Sequence, residues 1–245
     1  MVVNEALRIL RTVRYDAAHF SVFLQAGTIA AAAKPGQFVM IQAGDGLRPY
    51  LRRAFSVADV TTVAGVPGIE LVVRAVGVGT EALGRFAEGT PIPVLGPLGV
   101  PFPIEDLKQS DRVALVAGGI GLAPLVFLSR RLAERGIPAD LFYGGRNESE
   151  VLKRPDFERF LGAHRCRYAT DDGSLGKRGR VTDIFGAALE AGTSYRRVFA
   201  CGPVPMFRTL AGILESAGVE GSFALESEMA CGFGAGMGRA QEVCG

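Results

Sequence analysis

Val113-Ala114-Leu115-Val116-Ala117-Gly118-Gly119-Ile120-Gly121-Leu122-Ala123-Pro124 opens on a continuous apolar run, turns through three glycines and ends on a proline. The apolar run fits a parallel strand covered on both faces. Glycines directly after such a strand let the backbone approach a pyrophosphate, and the following helix start offers unpaired N–H groups and a favourable dipole. Pro124 suits the first turn of that helix. The stretch departs from the dinucleotide fingerprint G-x-G-x-x-G, because Ala123 and Pro124 stand where the last glycine is sought.

Downstream, helix and strand patterns alternate. A helix is predicted from Pro124 to Arg135, a strand over Ala139–Tyr143, a helix over Ser149–Leu161 and a strand over Arg167–Thr170. A helix (Val181–Ala191), a strand (Arg197–Ala200) and a helix (Pro203–Ala217) follow. Such alternation implies βαβ units and an α/β parallel sheet. Upstream the pattern is different. Short runs such as Phe38–Ile41, Ala54–Val57 and Ile69–Val76 are separated by Gly, Pro and Asp, which reads as a small β-barrel or sandwich. One short helix is expected at Thr80–Phe86, and the prolines between Pro91 and Pro103 read as a boundary region. The expected division is a β-barrel domain over residues 1–102, an α/β domain over 103–222 and a Gly- and Cys-rich tail over 223–245.

Composition narrows the partners. Among 245 residues, 27 Lys+Arg against 25 Asp+Glu leave a net charge of +2, which gives no concentrated basic surface for nucleic acid or an anionic membrane. Only two histidines are present, so a His-rich metal centre is excluded. Four cysteines at irregular spacing do not make a secreted disulfide scaffold. The N-terminus lacks a signal-peptide pattern, and glycines and Pro124 interrupt the longest uncharged run, so a cytoplasmic location is expected.

Three further stretches carry chemistry. Arg52-Arg53-Ala54-Phe55-Ser56 offers a cation for a diphosphate, an aromatic for a flat ring and a hydroxyl for a ring nitrogen. Gly77-Val78-Gly79-Thr80 reads either as a phosphate turn or as a plain turn. Phe199-Ala200-Cys201-Gly202-Pro203 ends a strand on the carboxyl edge, where open α/β sheets bind ligands. Cys201 alone reads equally as a small buried apolar residue.

In chain order these stretches and the glycine turn resemble the ferredoxin–NADP reductase superfamily, and within it the electron-transfer subunits of class 1B dihydroorotate dehydrogenases. The likeness spans nearly the whole chain. Gly179 to Asp183 also carries it, and Thr170-Asp171-Asp172-Gly173-Ser174 and Met229-Ala230-Cys231-Gly232-Phe233-Gly234-Ala235 narrow it to the subunit. The resemblance implies a flavin-binding barrel followed by a nicotinamide-binding domain. It puts FAD on Arg53, Ala54, Phe55, Ser56, Val72, Val73 and Arg74, with Gly79 and Thr80 at the diphosphate. It puts NAD(H) over Gly118, Gly119, Gly121, Ala123 and Pro124, and Cys201, Gly202 and Pro203 beside the nicotinamide. Ser56 and Cys201 are the residues it places nearest the reacting rings. It also implies an FMN-containing dihydroorotate-oxidising partner, in a heterotetramer serving pyrimidine synthesis.

The resemblance further implies a [2Fe–2S] cluster on Cys231 and Cys244 with two more cysteines. Here Gly236 and Arg239 stand at those two positions, and Cys244 arrives early. Two thiolates do not make an ordinary ferredoxin-type site. A stand-alone NAD(P)H–flavin reductase, a flavin subunit of another oxidoreductase and a protein that only retains FAD remain alternatives at this point.

Overall fold

The computed structural model describes residues 2–44 and 51–225. The N-terminal half is an antiparallel sheet of β1 (Val3–Arg14), β2 (His19–Gln25), β3 (Phe38–Ile41), β4 (Arg53–Ser56), β5 (Asp59–Val63), β6 (Val66–Arg74) and β7 (Pro91–Leu98). Helices α1 (Gly27–Ala32) and α2 (Val78–Leu83) lie between strands. The strand order is β4-β3-β7-β1-β2-β6-β5. The sheet curls so that β4 also approaches β6, giving a barrel-like layer around Val22, Leu24, Val39, Ile41, Ile69 and Leu71.

The C-terminal half holds β8 (Val113–Gly118), α3 (Ala123–Glu134), β9 (Ala139–Gly145), α4 (Arg154–Leu161), β10 (Cys166–Thr170), β11 (Lys177–Arg178), α5 (Val181–Glu190), β12 (Arg197–Cys201), α6 (Val204–Ala217) and β13 (Glu220–Ala224). The sheet order is β11-β10-β9-β8-β12-β13, and every ladder in it is parallel. β8 shows why its sequence is continuously apolar. Val113, Leu115 and Ala117 pack into one core layer, and Ala114 and Val116 into the layer on the other face. A two-sided strand has no solvent face to make polar.

The two halves share their cores. Phe127 of α3 is 1% exposed and packs among the barrel residues, a burial that contributes about 1.5–3 kcal/mol. One turn on, Arg130 Nε donates to Asp59 Oδ1 at 2.8 Å, and its terminal nitrogen donates to the Val60 carbonyl at 3.2 Å. The α3 helix therefore belongs to both layers.

Several expectations need correction. The stretch from Pro91 to Leu98 is not a boundary but β7, which pairs with both β1 and β3. Pro91 and Pro93 lie beyond the residues that ladder with β3, where Pro93 is needed only as an acceptor, from the Gln42 N–H at 3.0 Å, so its missing N–H costs no ladder bond to β3. The helix expected over Ser149–Leu161 starts only at Arg154, because Pro155 lacks the N–H an interior turn needs. Lys153, just before it, is left-handed at φ 57°. The short barrel helix runs over Val78–Leu83 rather than Thr80–Phe86. The sequence reading missed α1, β11 and β13. The tail with Cys231, Gly236, Arg239 and Cys244 lies outside the described residues.

Candidate functional site

A cleft of ≈ 560 Å³ opens at the carboxyl edge of the parallel sheet. β8 leads through α3 to β9 on one side, while β12 lies on its other side. The loops after β8 and β12 therefore diverge, and that switch point is where such sheets hold ligands. Gly118, Gly119, Gly121, Gly202 and Pro203 line the cleft from these two loops, and Arg74 lines it from the barrel.

The glycines do different jobs. A Cβ on Gly121 would sit 2.3 Å from the Cys201 carbonyl oxygen, so this glycine is demanded by the end of β12. A Cβ on Gly118 would meet Pro203 Cδ at 2.8 Å and Met206 Sδ at 2.9 Å. Both positions hold the two loops together. Gly119 differs: its φ is +53° and the space where a Cβ would go is open. Of the three, Gly119 leaves room for a ligand against the backbone. All three glycines line the cleft, one with open space beside it and two held by packing between the loops.

Tyr143 of β9 fixes this turn. Its hydroxyl lies 3.1 Å from the Gly119 carbonyl and 3.0 Å from the Glu150 carbonyl, and accepts the Leu152 N–H at 3.1 Å. Burial pushes its pKa well up, so it stays a neutral donor. Sequence reading passed over Tyr143 because it sits in an apolar strand; the only signal was a hydroxyl that burial obliges to find partners.

Arg146, Glu150, Asp171, Arg180 and Thr182 add polar lining; Asp171, Arg180 and Thr182 fall in the two stretches quoted for the resemblance, whereas Arg146 and Glu150 carried no signal in the sequence. Arg146 Nε donates to Glu150 Oε1 at 2.8 Å. That bond holds the Glu150 carboxyl below its usual range. Gly144 allows α5 to come close, since a Cβ there would meet Val181 Cβ at 2.8 Å.

The other sequence candidates lie elsewhere. Ala123 and Pro124 are buried at the start of α3 and do not line the cleft. Cys201 is 2% exposed and its side chain belongs to the core layer under α3. On the barrel, β4 occupies a sheet edge and ladders only with β3. Phe55 turns inward to the barrel core, so it has no ring free to lie on a flat ligand; Ala54 is exposed and Ser56 half-buried. Val72 and Val73 are buried on β6, and Arg74 follows them at its exposed end. Thr80 Oγ1 accepts the Val76 N–H at 2.9 Å and the Gly77 N–H at 3.2 Å, and donates to the Gly77 carbonyl at 2.9 Å. The hydroxyl shapes the turn, and what the Gly79–Thr80 segment can offer an anion is backbone N–H.

An antiparallel barrel joined to a parallel sheet with a glycine-lined cleft defines a ferredoxin-reductase-like, nicotinamide-linked oxidoreductase. Residues 115–211 match the family of oxidoreductase NAD-binding domains. The electron transfer subunit of dihydroorotate dehydrogenase B (NAD(+)) from Fusobacterium nucleatum is 36% identical over 203 residues, covering 82% of this chain and 75% of that protein. Its counterpart from Lysinibacillus sphaericus is 34% identical over 236 residues, covering 96% of this chain and 87% of that protein. A solved structure of an NADH-dependent reduced ferredoxin-NADP oxidoreductase superposes with a TM-score of 0.80 at 28% identity, over 93% of this chain and 79% of that one. The chain belongs to the family of dihydroorotate dehydrogenase B electron transfer subunits. Among the described residues no helix is long and apolar enough to cross a membrane.

Proposed function

We propose that the chain carries electrons between NAD(H) and a dihydroorotate-oxidising subunit through FAD held on its barrel. The observation that supports this most is the cleft at the β8/β12 switch point, with Gly119 open at its floor and Arg74 reaching it from the flavin side. Nicotinamide chemistry needs the two rings held face to face, with no protein acid or base. In this reading the backbone around Gly119 and the start of α3 receive the pyrophosphate, where N–H groups and the helix dipole favour an anion.

FAD is assigned to the unladdered edge of β4, Arg53 to Ser56, with Val72 to Arg74 alongside and the diphosphate at Gly79 and Thr80. A bound flavin supplies the conversion between two-electron and one-electron transfer. This chain's own residues set its position: β4 by pairing with β3, and the α2 turn through the Thr80 hydroxyl.

The donor set does not fit the family's iron–sulfur cluster. Of the four expected thiolates, Gly236 and Arg239 replace two. Among the described cysteines, Cys201 lies in the core and Cys166 is half-buried at the opposite end of its sheet. The partner is assigned as the FMN-containing catalytic subunit, in a heterotetramer. Co-purification of the two subunits tests the assignment: a stable complex that reduces NAD with dihydroorotate supports it. An NADH-reducible flavoprotein that binds no such partner would favour the stand-alone reductase.

A further inference from the structure

At the other end of the parallel sheet, a second cavity of ≈ 450 Å³ opens where β8, β9 and β10 begin. The length of β8 puts it roughly 20 Å from the glycine cleft. Asp140, with no exposed side-chain surface, lies at its floor. Arg112 approaches this carboxylate at 2.6 Å, Arg165 at 3.1 Å and Arg167 at 3.8 Å. The Tyr195 hydroxyl also donates to it, at 2.8 Å.

The donors outnumber what one carboxylate can accept. A carboxylate offers about four acceptor positions, and three guanidinium groups bring about fifteen N–H donors. The mismatch is visible in the atoms: Arg112 Nε and Arg167 Nη1 are buried without a hydrogen-bond partner. Compensating a buried Asp140 takes one guanidinium, which Arg112 supplies. Arg165 and Arg167 go beyond that need, and they keep 30% and 41% of their side chains exposed at the cavity.

Charge points the same way. The other carboxylate lining the cavity, Asp111, already accepts the Lys108 N–H at 2.8 Å. Three guanidinium groups against Asp111 and Asp140 leave a net positive charge, and the exposed His164 imidazole adds a further donor. A concave surface with surplus planar donors matches a tetrahedral oxyanion, which guanidinium forks recognise in pairs.

We propose that this cavity binds a small phosphate-type oxyanion, as a site separate from the dinucleotide cleft. The proposal does not depend on the electron-transfer reading. Its ligand is either free phosphate or a phosphomonoester of a small metabolite.

The test is titration calorimetry on the full chain with its flavin bound. Inorganic phosphate and glycerol 3-phosphate are the probes, with ionic strength held constant by chloride and NAD present in excess to fill the other cleft. The expected result is saturable binding with a Kd of about 1 mM or tighter. Arg167→Gln removes the guanidinium farthest from Asp140 and should weaken binding at least fivefold while leaving NADH reduction of the flavin unchanged. Arg165→Lys, which keeps the charge and loses the fork, guards against a folding defect in the first variant and should also weaken it. Tighter binding of phosphate or of glycerol 3-phosphate identifies the source, and either supports the site. Absence of saturable binding of either probe, or equal affinity in wild type and both variants, overturns it.

Discussion

Lys153 Nζ lies 2.9 Å from Glu70 Oε1 and 3.0 Å from Oε2, joining the start of α4 to strand β6 of the barrel. Glu70 is buried at 5% side-chain exposure and Lys153 nearly so at 11%. Ser21 donates to the same Glu70 carboxylate at 2.5 Å, and Asp156 takes Lys153 from the other side at 2.8 Å. The left-handed backbone at Lys153 is thus the geometry that delivers an ammonium group across the junction between the halves.

Removing one partner of such a pair leaves a buried charge uncompensated. Lys153→Ala should destabilise the protein by about 3–5 kcal/mol, read as a lower urea midpoint. A change within about 0.5 kcal/mol, the size of an ordinary surface substitution, would show that water reaches Glu70.

Stability should fall on the alkaline side. Burial pushes the Cys166 thiol up to about 11, and burial also raises the hydroxyls of Tyr143 and Tyr195. The Lys153 ammonium is raised as well, because attraction to Glu70 and Asp156 outweighs its burial. In each case the folded state holds its proton more tightly than the unfolded chain does. Between the unfolded and folded values the native state binds more protons, so stability decreases with rising pH. The contribution is complete below the unfolded thiol value of about 8.5 and is lost progressively above it. Melting temperatures measured from pH 7 to 11 check this; a flat profile would contradict it.

The cleft glycines should separate. Gly121→Ala places a Cβ 2.3 Å from the Cys201 carbonyl and should lower thermal stability, with NADH binding lost only as a consequence. Gly119→Ala meets open space and pays for its positive φ by about 1–2 kcal/mol. It should remain folded yet bind NADH more weakly. Equal NADH affinity in a folded Gly119→Ala protein would move the pyrophosphate elsewhere.

The order of barrel, glycine turn and parallel sheet was legible because it lives in local patterns: continuous apolar runs, glycine after a strand, alternation of periods. β7 was hidden by its prolines, which mimic a linker unless one knows that β3 ends before them. Phe55 was assigned a ligand-facing ring, whereas strand alternation at a curled edge turns it inward. Arg74, Asp171 and Glu150 line one cleft although they lie on separate elements, and no local spacing announces that. The Arg112–Asp140 group is of the same kind.

Arg53→Ala should weaken FAD retention by about 1–3 kcal/mol, the scale of a charge-assisted hydrogen bond. Equilibrium dialysis or fluorescence recovery of released flavin measures it. An unchanged FAD affinity would remove Arg53 from the flavin site.

Iron and acid-labile sulfide should stay well below the full complement after anaerobic reconstitution, since Gly236 and Arg239 supply no thiolate. A stoichiometric [2Fe–2S] centre with a rhombic signal on reduction would show that other ligands complete the site.

On the proposed reading, the cleft brings NADH to a flavin held by the same chain. Anaerobic mixing of the FAD-loaded protein with NADH, followed at the flavin absorption band, tests it directly. Rapid, saturable bleaching in wild type, and bleaching that needs higher NADH in Gly119→Ala, is the predicted result. Flavin that stays oxidised in excess NADH would contradict the account.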